Sequence, residues 1–294
     1  MGCFANVTRS RADGASLDGM KLGKGNVAVI TGAASGIGLA MSKRFAQAGL
    51  DVVMADLETN ALATAAESVQ AFGGEVMTQE VDVSSAEAVE ALAAAAFTRF
   101  GAVHVLCNNA GVGGGGRQST LSVAEWMWVL GVNLHGVVHG IASFLPRMVA
   151  SGEQGHVVNT ASMAGHVAVG GMGPYNASKF AVVGMSESLF HELNGSPIGV
   201  SVLCPGWVKT NIDTSDRNRP AGVPERAAVG GDGALSEFIK AAIASGLDPD
   251  GVAQTVFEAV EANKFWVFTH AEMLPGITAR AEGAVAGRNP GSAT

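Results

Sequence analysis

The chain has 294 residues, 48% of them hydrophobic and 15% charged, so it can bury a large core without disulfide or metal staples. Its formal net charge of −8, with the basic residues scattered, excludes the electrostatic footprint of a nucleic-acid binder. No segment approaches ~20 uninterrupted apolar residues, the start lacks a secretory signal's apolar stretch, and Cys3, Cys107 and Cys204 lack zinc or redox spacing, so a reducing cytoplasm is the expected home, without membrane or nucleic acid as partner.

Residues 1–25 are rich in Gly, Ser, Arg and Lys without apolar periodicity, and are expected to form a flexible arm. From Asn26 on, short β-branched runs alternate with Ala-rich helical stretches, the pattern of repeated βα units. Strands are predicted at 27–31, 51–56, 75–81, 103–107, 156–160, 198–204 and 265–268, each apolar enough for burial on both faces. Helices are predicted at 36–47, 60–72, 86–100, 123–150, 174–193 and 249–262. The implied fold is α/β: a single Rossmann-type domain over 26–270, with a doubly wound parallel seven-stranded sheet and helices on both faces. Residues 207–233, with several Pro, Gly and charged residues and no period, read as a substrate loop; 271–294 read as a C-terminal helix and tail.

Thr31-Gly32-Ala33-Ala34-Ser35-Gly36-Ile37-Gly38 follows the first strand and opens the first helix. Glycines there let the backbone approach a pyrophosphate, and the helix N-terminus offers unpaired N–H groups to its charge. A glycine turn serving only helix–sheet packing is the alternative. Asp56 ends the second strand, where a carboxylate can accept from the adenosine ribose hydroxyls and would repel a 2′-phosphate. Leu57, Glu58 and Thr59 follow without a cation, so the expected cofactor is NAD rather than NADP; a helix N-cap is the plainer role for Asp56.

Tyr175 and Lys179 stand four apart on a predicted helix, bringing an ammonium near a phenol. A free phenol titrates near ~10; the nearby cation and the oxidised nicotinamide together would favour the phenolate and hold it well below that value, and a merely structural pair is the alternative. Tyr175 is the only tyrosine in the chain. His135 and His139 have helical spacing but no glutamate between them in an HExxH pattern, so no metal is expected.

These motifs, with Asp82-Val83, Asn108-Asn109-Ala110-Gly111, Asn133, Ser162 and Pro205-Gly206-Trp207-Val208-Lys209-Thr210 in order, make the chain resemble the short-chain dehydrogenase/reductase superfamily, compact type, from about Val27 to Phe268. The resemblance implies that Ser162 holds the substrate oxygen, Tyr175 exchanges its proton, Lys179 also grips the nicotinamide ribose, and Asn133 holds a water on the proton path. A polar residue satisfying a helix kink is the other reading of Asn133. It further implies cofactor contacts from Gly32, Ser35, Gly36, Ile37, Gly38, Asp56, Leu57, Asp82, Val83, Asn109, Ala110, Gly111, Tyr175, Lys179, Pro205, Gly206, Val208 and Thr210. Gly113, Met163, Met172 and Trp207 flank the catalytic residues and are candidates for a largely apolar pocket, suited to a hydrophobic or aryl secondary alcohol or its ketone. In the family the final helix and strand, 249–268, pair with their copies, which implies a homodimer or homotetramer. The rival reading is an NAD-sensing binding protein on the same fold, without turnover.

Overall fold

The computed structural model describes residues 19–224 and 233–291. Cys3, most of the expected N-terminal arm and the centre of the expected substrate loop lie outside these residues. Seven strands, β1 (Val27–Thr31), β2 (Asp51–Asp56), β3 (Val76–Glu80), β4 (Val105–Asn108), β5 (Gly155–Thr160), β6 (Ile198–Cys204) and β7 (Trp266–Phe268), form one parallel sheet in the order β3-β2-β1-β4-β5-β6-β7. The order reverses between β1 and β4, which opens a crevice at the carboxyl ends of those strands.

Nine α-helices are described: α1 (Gly36–Gln47), α2 (Thr59–Gln70), α3 (Ala86–Phe100), α4 (Val123–Leu130), α5 (Gly136–Ser151), α6 (Gly173–Glu192), α7 (Ala234–Ala244), α8 (Pro249–Glu261) and α9 (Leu274–Val285). The strands are apolar without alternation because both faces are covered. Ala28 and Ile30 of β1 pack with Phe45 of α1 and Val256 of α8 on one face; Val27 and Val29 pack with Leu92 of α3 and Phe144 of α5 on the other. The edge strands break the expected burial on both faces. Thr78 and Glu80 of β3 and Trp266 of β7 are exposed, because a sheet edge has one neighbour fewer to cover it.

Two further expectations change. Met20 and Leu22 are buried against Val260 and Phe257, so packed chain begins ahead of Asn26. The predicted 123–150 helix is interrupted by a π-helical turn, Gly131–His135, between α4 and α5. This 123–151 run is long and apolar enough to cross a membrane by length and composition; here Val137, Phe144 and Met148 sit in the core.

Candidate active site

The turn after β1 is built by close backbone approaches. Gly32 and Gly36 have φ of +68° and +53°, a region that disfavours side chains. A Cβ on Gly38 would lie 2.0 Å from the Gly32 carbonyl oxygen, and one on Gly32 would lie 2.8 Å from Ala110 Cα. The glycines therefore serve packing, and they also leave a cradle of bare backbone at the crevice. At the start of α1, Ser35 is the extended N-cap residue and makes no side-chain cap, leaving first-turn N–H groups to face an anion. Ile37 is partly buried against the core behind the turn.

Asp56 is tied into the same turn. Its Oδ2 accepts from Ala34 N at 2.9 Å and its Oδ1 from Glu58 N at 3.0 Å, which leaves lone pairs on a half-buried carboxylate. The N-cap of α2 is Glu58, not Asp56, so the plainer capping role does not hold. Leu57 is exposed beside it. Asp82 accepts from Ser84 N and Oγ at 2.9 and 2.7 Å, while Val83 is buried and its carbonyl accepts from His139 Nδ1 at 2.9 Å.

Sequence reasoning missed Thr31 and Thr160. Thr31 Oγ1 accepts from Asn109 N at 2.9 Å and Ala110 N at 3.0 Å, and Asn109 Nδ2 donates back to Thr31 O at 3.0 Å. Thr160 Oγ1 donates to Asn109 Oδ1 at 3.3 Å, so hydroxyls at the ends of β1 and β5 fasten the turn after β4 between them. A threonine ending a strand next to a glycine turn was the available signal.

Ser162 follows β5 in extended conformation; its Oγ accepts from Ala164 N at 3.1 Å and donates to Pro205 O at 3.4 Å. Tyr175 lies in the first turn of α6, where Pro174 fits because its missing N–H has no helical partner to lose. Lys179, one turn on and 3% exposed, donates from Nζ to Thr160 O at 2.9 Å and lies 5.7 Å from the Tyr175 ring centroid. Burial pushes the Lys179 ammonium down to about 8. Burial also pushes the Tyr175 phenol above its usual value, and the Ser162 hydroxyl opposes that shift. In the protein alone desolvation outweighs the neighbouring hydroxyl; the expected lowering concerned the complex with the oxidised nicotinamide.

Asn133 sits fully buried within the π turn. Its Oδ1 accepts from Val112 N at 2.8 Å and its Nδ2 donates to Val112 O at 2.9 Å and Ser178 Oγ at 3.3 Å. Its side chain is therefore a brace for the loop after β4 and, among the described residues, makes no hydrogen bond to the backbone of its own helix. Gly111 lies between Asn133 and Lys179: a Cβ there would stand 3.4 Å from Asn133 Oδ1 and 3.7 Å from Lys179 Nζ.

On the substrate side, Gly113 N donates to Ser215 Oγ at 2.9 Å, and Met172 bridges Gly116. Met163, 4% exposed, packs with Val182 and Val202, which moves it from the expected pocket into the core. Gly206 N donates to His270 Nδ1 at 3.2 Å, Val208 is buried, and the Thr210 methyl faces Gly36. Trp207 meets Phe238 edge to face at 5.8 Å on the wall of an open cavity of about 550 Å³, also lined by Ala241, Leu247 and His270. That lining does not include Ser162, Tyr175 or Lys179. Among the described residues no cluster of His, Cys, Asp or Glu could hold a metal ion.

Residues 26–221 match the family model for short chain dehydrogenases. The chain belongs to that family. Among its relatives, the 1-deoxy-11-beta-hydroxypentalenate dehydrogenase of Streptomyces avermitilis is 39% identical over 84% of this chain and 85% of its own. The C alpha-dehydrogenase of Sphingobium sp. is 33% identical over 88% and 85%. A short chain dehydrogenase/reductase from Burkholderia phymatum, solved in complex with NAD, is 42% identical with a TM-score of 0.89 over 92% of this chain and 98% of that one. This short-chain dehydrogenase therefore has the Rossmann-type fold of an oxidoreductase family whose dehydrogenases act on hydroxyl groups of small molecules.

Proposed function

We propose that this chain is an NAD-dependent alcohol dehydrogenase or ketone reductase that interconverts a hydrophobic or aryl secondary alcohol and its ketone. The observation that carries this reading is the convergence of Ser162, Tyr175 and buried Lys179 at the carboxyl ends of β5 and β6, beside the glycine turn. The cradle of Gly32, Gly36 and Gly38, which a Cβ would fill, and the uncapped start of α1 suit a dinucleotide's pyrophosphate. Asp56, with lone pairs to spare, suits the two hydroxyls of an unphosphorylated ribose.

When bound, the nicotinamide supplies or takes the hydride. Ser162 Oγ holds the substrate oxygen, and Tyr175 takes the hydroxyl proton during oxidation and returns it during reduction. Lys179, fixed by Thr160 O, keeps a positive charge beside the phenol and favours its ionised form. The hydrophobic substrate class rests on the small or apolar residues Gly113, Met172 and Trp207, which flank the catalytic residues in sequence. A cytoplasmic homodimer or homotetramer built on 249–268 completes the reading, and it is supported by Trp266, 43% exposed on an edge strand and stacked on Phe268 at 5.7 Å.

The test is turnover of a panel of aryl and alicyclic secondary alcohols with NAD or NADP. Formation of reduced nicotinamide with NAD is the expected result. Saturable NAD binding with no turnover across the panel would overturn it in favour of an NAD-sensing protein.

A further inference from the structure

The segment that follows β6 crosses the crevice and is fastened on its far side. Thr210 faces Gly36 at the glycine turn: a Cβ on that glycine would lie 2.9 Å from Thr210 Cγ2. Ser215, 4% exposed, then accepts from Gly113 N at 2.9 Å in the loop after β4. The run ends at Arg219, which pairs with buried Glu125 of α4 and lies over the Trp128 ring. Residues 210–219 therefore touch the ends of β1 and β4, between which a dinucleotide would lie.

The contact with the β2 end is the most specific of these. A single oxygen of Glu58, Oε1, accepts from Arg217 Nε at 2.9 Å, Arg217 Nη2 at 2.7 Å and Asn218 Nδ2 at 2.9 Å. Arg217 Nη1 donates to Asn211 O, Thr214 O and Thr214 Oγ1 at 2.9, 3.0 and 3.1 Å, so the guanidinium is locked to its own segment and moves with it. Glu58 is the N-cap residue of α2 but does not cap it: its side chain is turned to the loop instead. Its backbone N–H donates to Asp56, which places the fastening two residues from the ribose carboxylate. The Arg217 hydrogen bonds hold the Glu58 carboxyl below the usual carboxylate range against the opposing effect of burial.

We propose that Glu58 is a positioning residue for the dehydrogenase reaction, fastening Arg217 and Asn218 so that residues 210–219 stay across the groove and slow release of the dinucleotide. This rests on the NAD-dependent reading above. Glu58 touches neither reacting atom nor, in this role, the cofactor; it acts through the loop. A partly exposed pair of this kind is modest in strength, so its loss should speed release about three- to tenfold.

The experiment is stopped-flow measurement of NADH release, chased with excess NAD, on wild type, Glu58→Ala, Arg217→Ala, the double variant and the charge swap E58R/R217E, each with a melting curve. Both single variants should release NADH about three to ten times faster. The double variant should be no faster than the faster single one, the swap should recover part of the loss, and melting temperatures should stay near wild type. Where release limits turnover, kcat should rise with the off-rate, a change that a purely structural role would not produce. Off-rates within twofold of wild type, or single effects that multiply in the double variant, would overturn the proposal. If a single variant melts early, the swap decides: recovery supports the fastening and no recovery overturns it. Failure of the wild type to bind NADH or NADPH would overturn the dehydrogenase reading and this one with it, an outcome distinct from binding with unchanged rates.

Discussion

The Tyr175 ring and the Lys179 ammonium stand one turn apart on α6, 5.7 Å from Nζ to ring centroid, and the ammonium is fixed by Thr160 O rather than by the phenol. In the proposed mechanism the lysine acts on the tyrosine through its field. Tyr175→Phe removes only the phenol oxygen, so folding and NAD binding should survive while turnover falls 10²–10⁴-fold, the usual range for a general acid–base. The loss should reach the upper end because no second tyrosine exists to take over. Retention of more than about a tenth of wild-type kcat, at saturating NAD and with an unchanged melting curve, would refute the assignment.

The same uniqueness makes the phenol directly observable. Tyrosinate absorbance in this protein reports Tyr175 alone. In the cofactor-free protein it should appear above the ordinary tyrosine range, because burial raises the pKa. Ser162→Ala should move the transition higher still, since the Ser162 hydroxyl is the group that opposes the shift. A transition below ~10 in the free protein would contradict this ordering.

Cofactor preference should follow Asp56, with NAD favoured over NADP at least tenfold in kcat/KM, about 1.4 kcal/mol. Asp56→Ala should narrow the ratio by relieving repulsion, but it also strips partners from Ala34 N and Glu58 N. KM should therefore worsen for both cofactors, with a stability loss of about 1–2 kcal/mol. Asp56→Asn keeps an acceptor in place and should narrow the ratio at smaller cost. Equal turnover with the two cofactors in wild type would rule the role out.

His156 predicts a pH dependence of stability. It is buried in β5, its Nε2 meets Ser201 Oγ at 2.7 Å, and that hydroxyl gives its own proton to Lys264 O, so Nε2 carries the hydrogen and the ring is neutral. Burial lowers its pKa from 6.5 to about 3. Because the folded value is the lower one, the unfolded chain takes up the proton first. The stability associated with neutral His156 is present above pH ~6.5 and is lost as pH falls toward ~3, by up to ~1.4 kcal/mol per unit. Urea midpoints should fall across that window, and more shallowly in His156→Gln. Identical slopes would show that His156 does not titrate in this way.

Association should involve the β7 edge. Sedimentation at micromolar concentration should give a dimer or tetramer, and Trp266→Ser should weaken it, since this half-exposed ring stacks on Phe268 at the open edge. A monomeric wild type would contradict the assembly.

Local chemistry was enough to place β1, β2, β6, α1 and α3, whose bounds follow unbroken apolar runs, a helix-opening glycine turn and an Ala-rich helical stretch. It also marked Asp56, Tyr175 and Lys179 as candidates, whereas Ser162 came only from the family resemblance. Other features needed tertiary structure, because they depend on residues far apart in the chain meeting in space. The π turn at Asn133 exists where its amide clamps Val112, 21 residues away, and no helical period signals that. Desolvation, not charge, sets the direction of the Tyr175 shift, since burial is a property of the packed surroundings. Glu58 looked like an incidental acid after Asp56. Its partner Arg217 lies 159 residues on, brought to it only because β6 and β2 end on the same side of one parallel sheet.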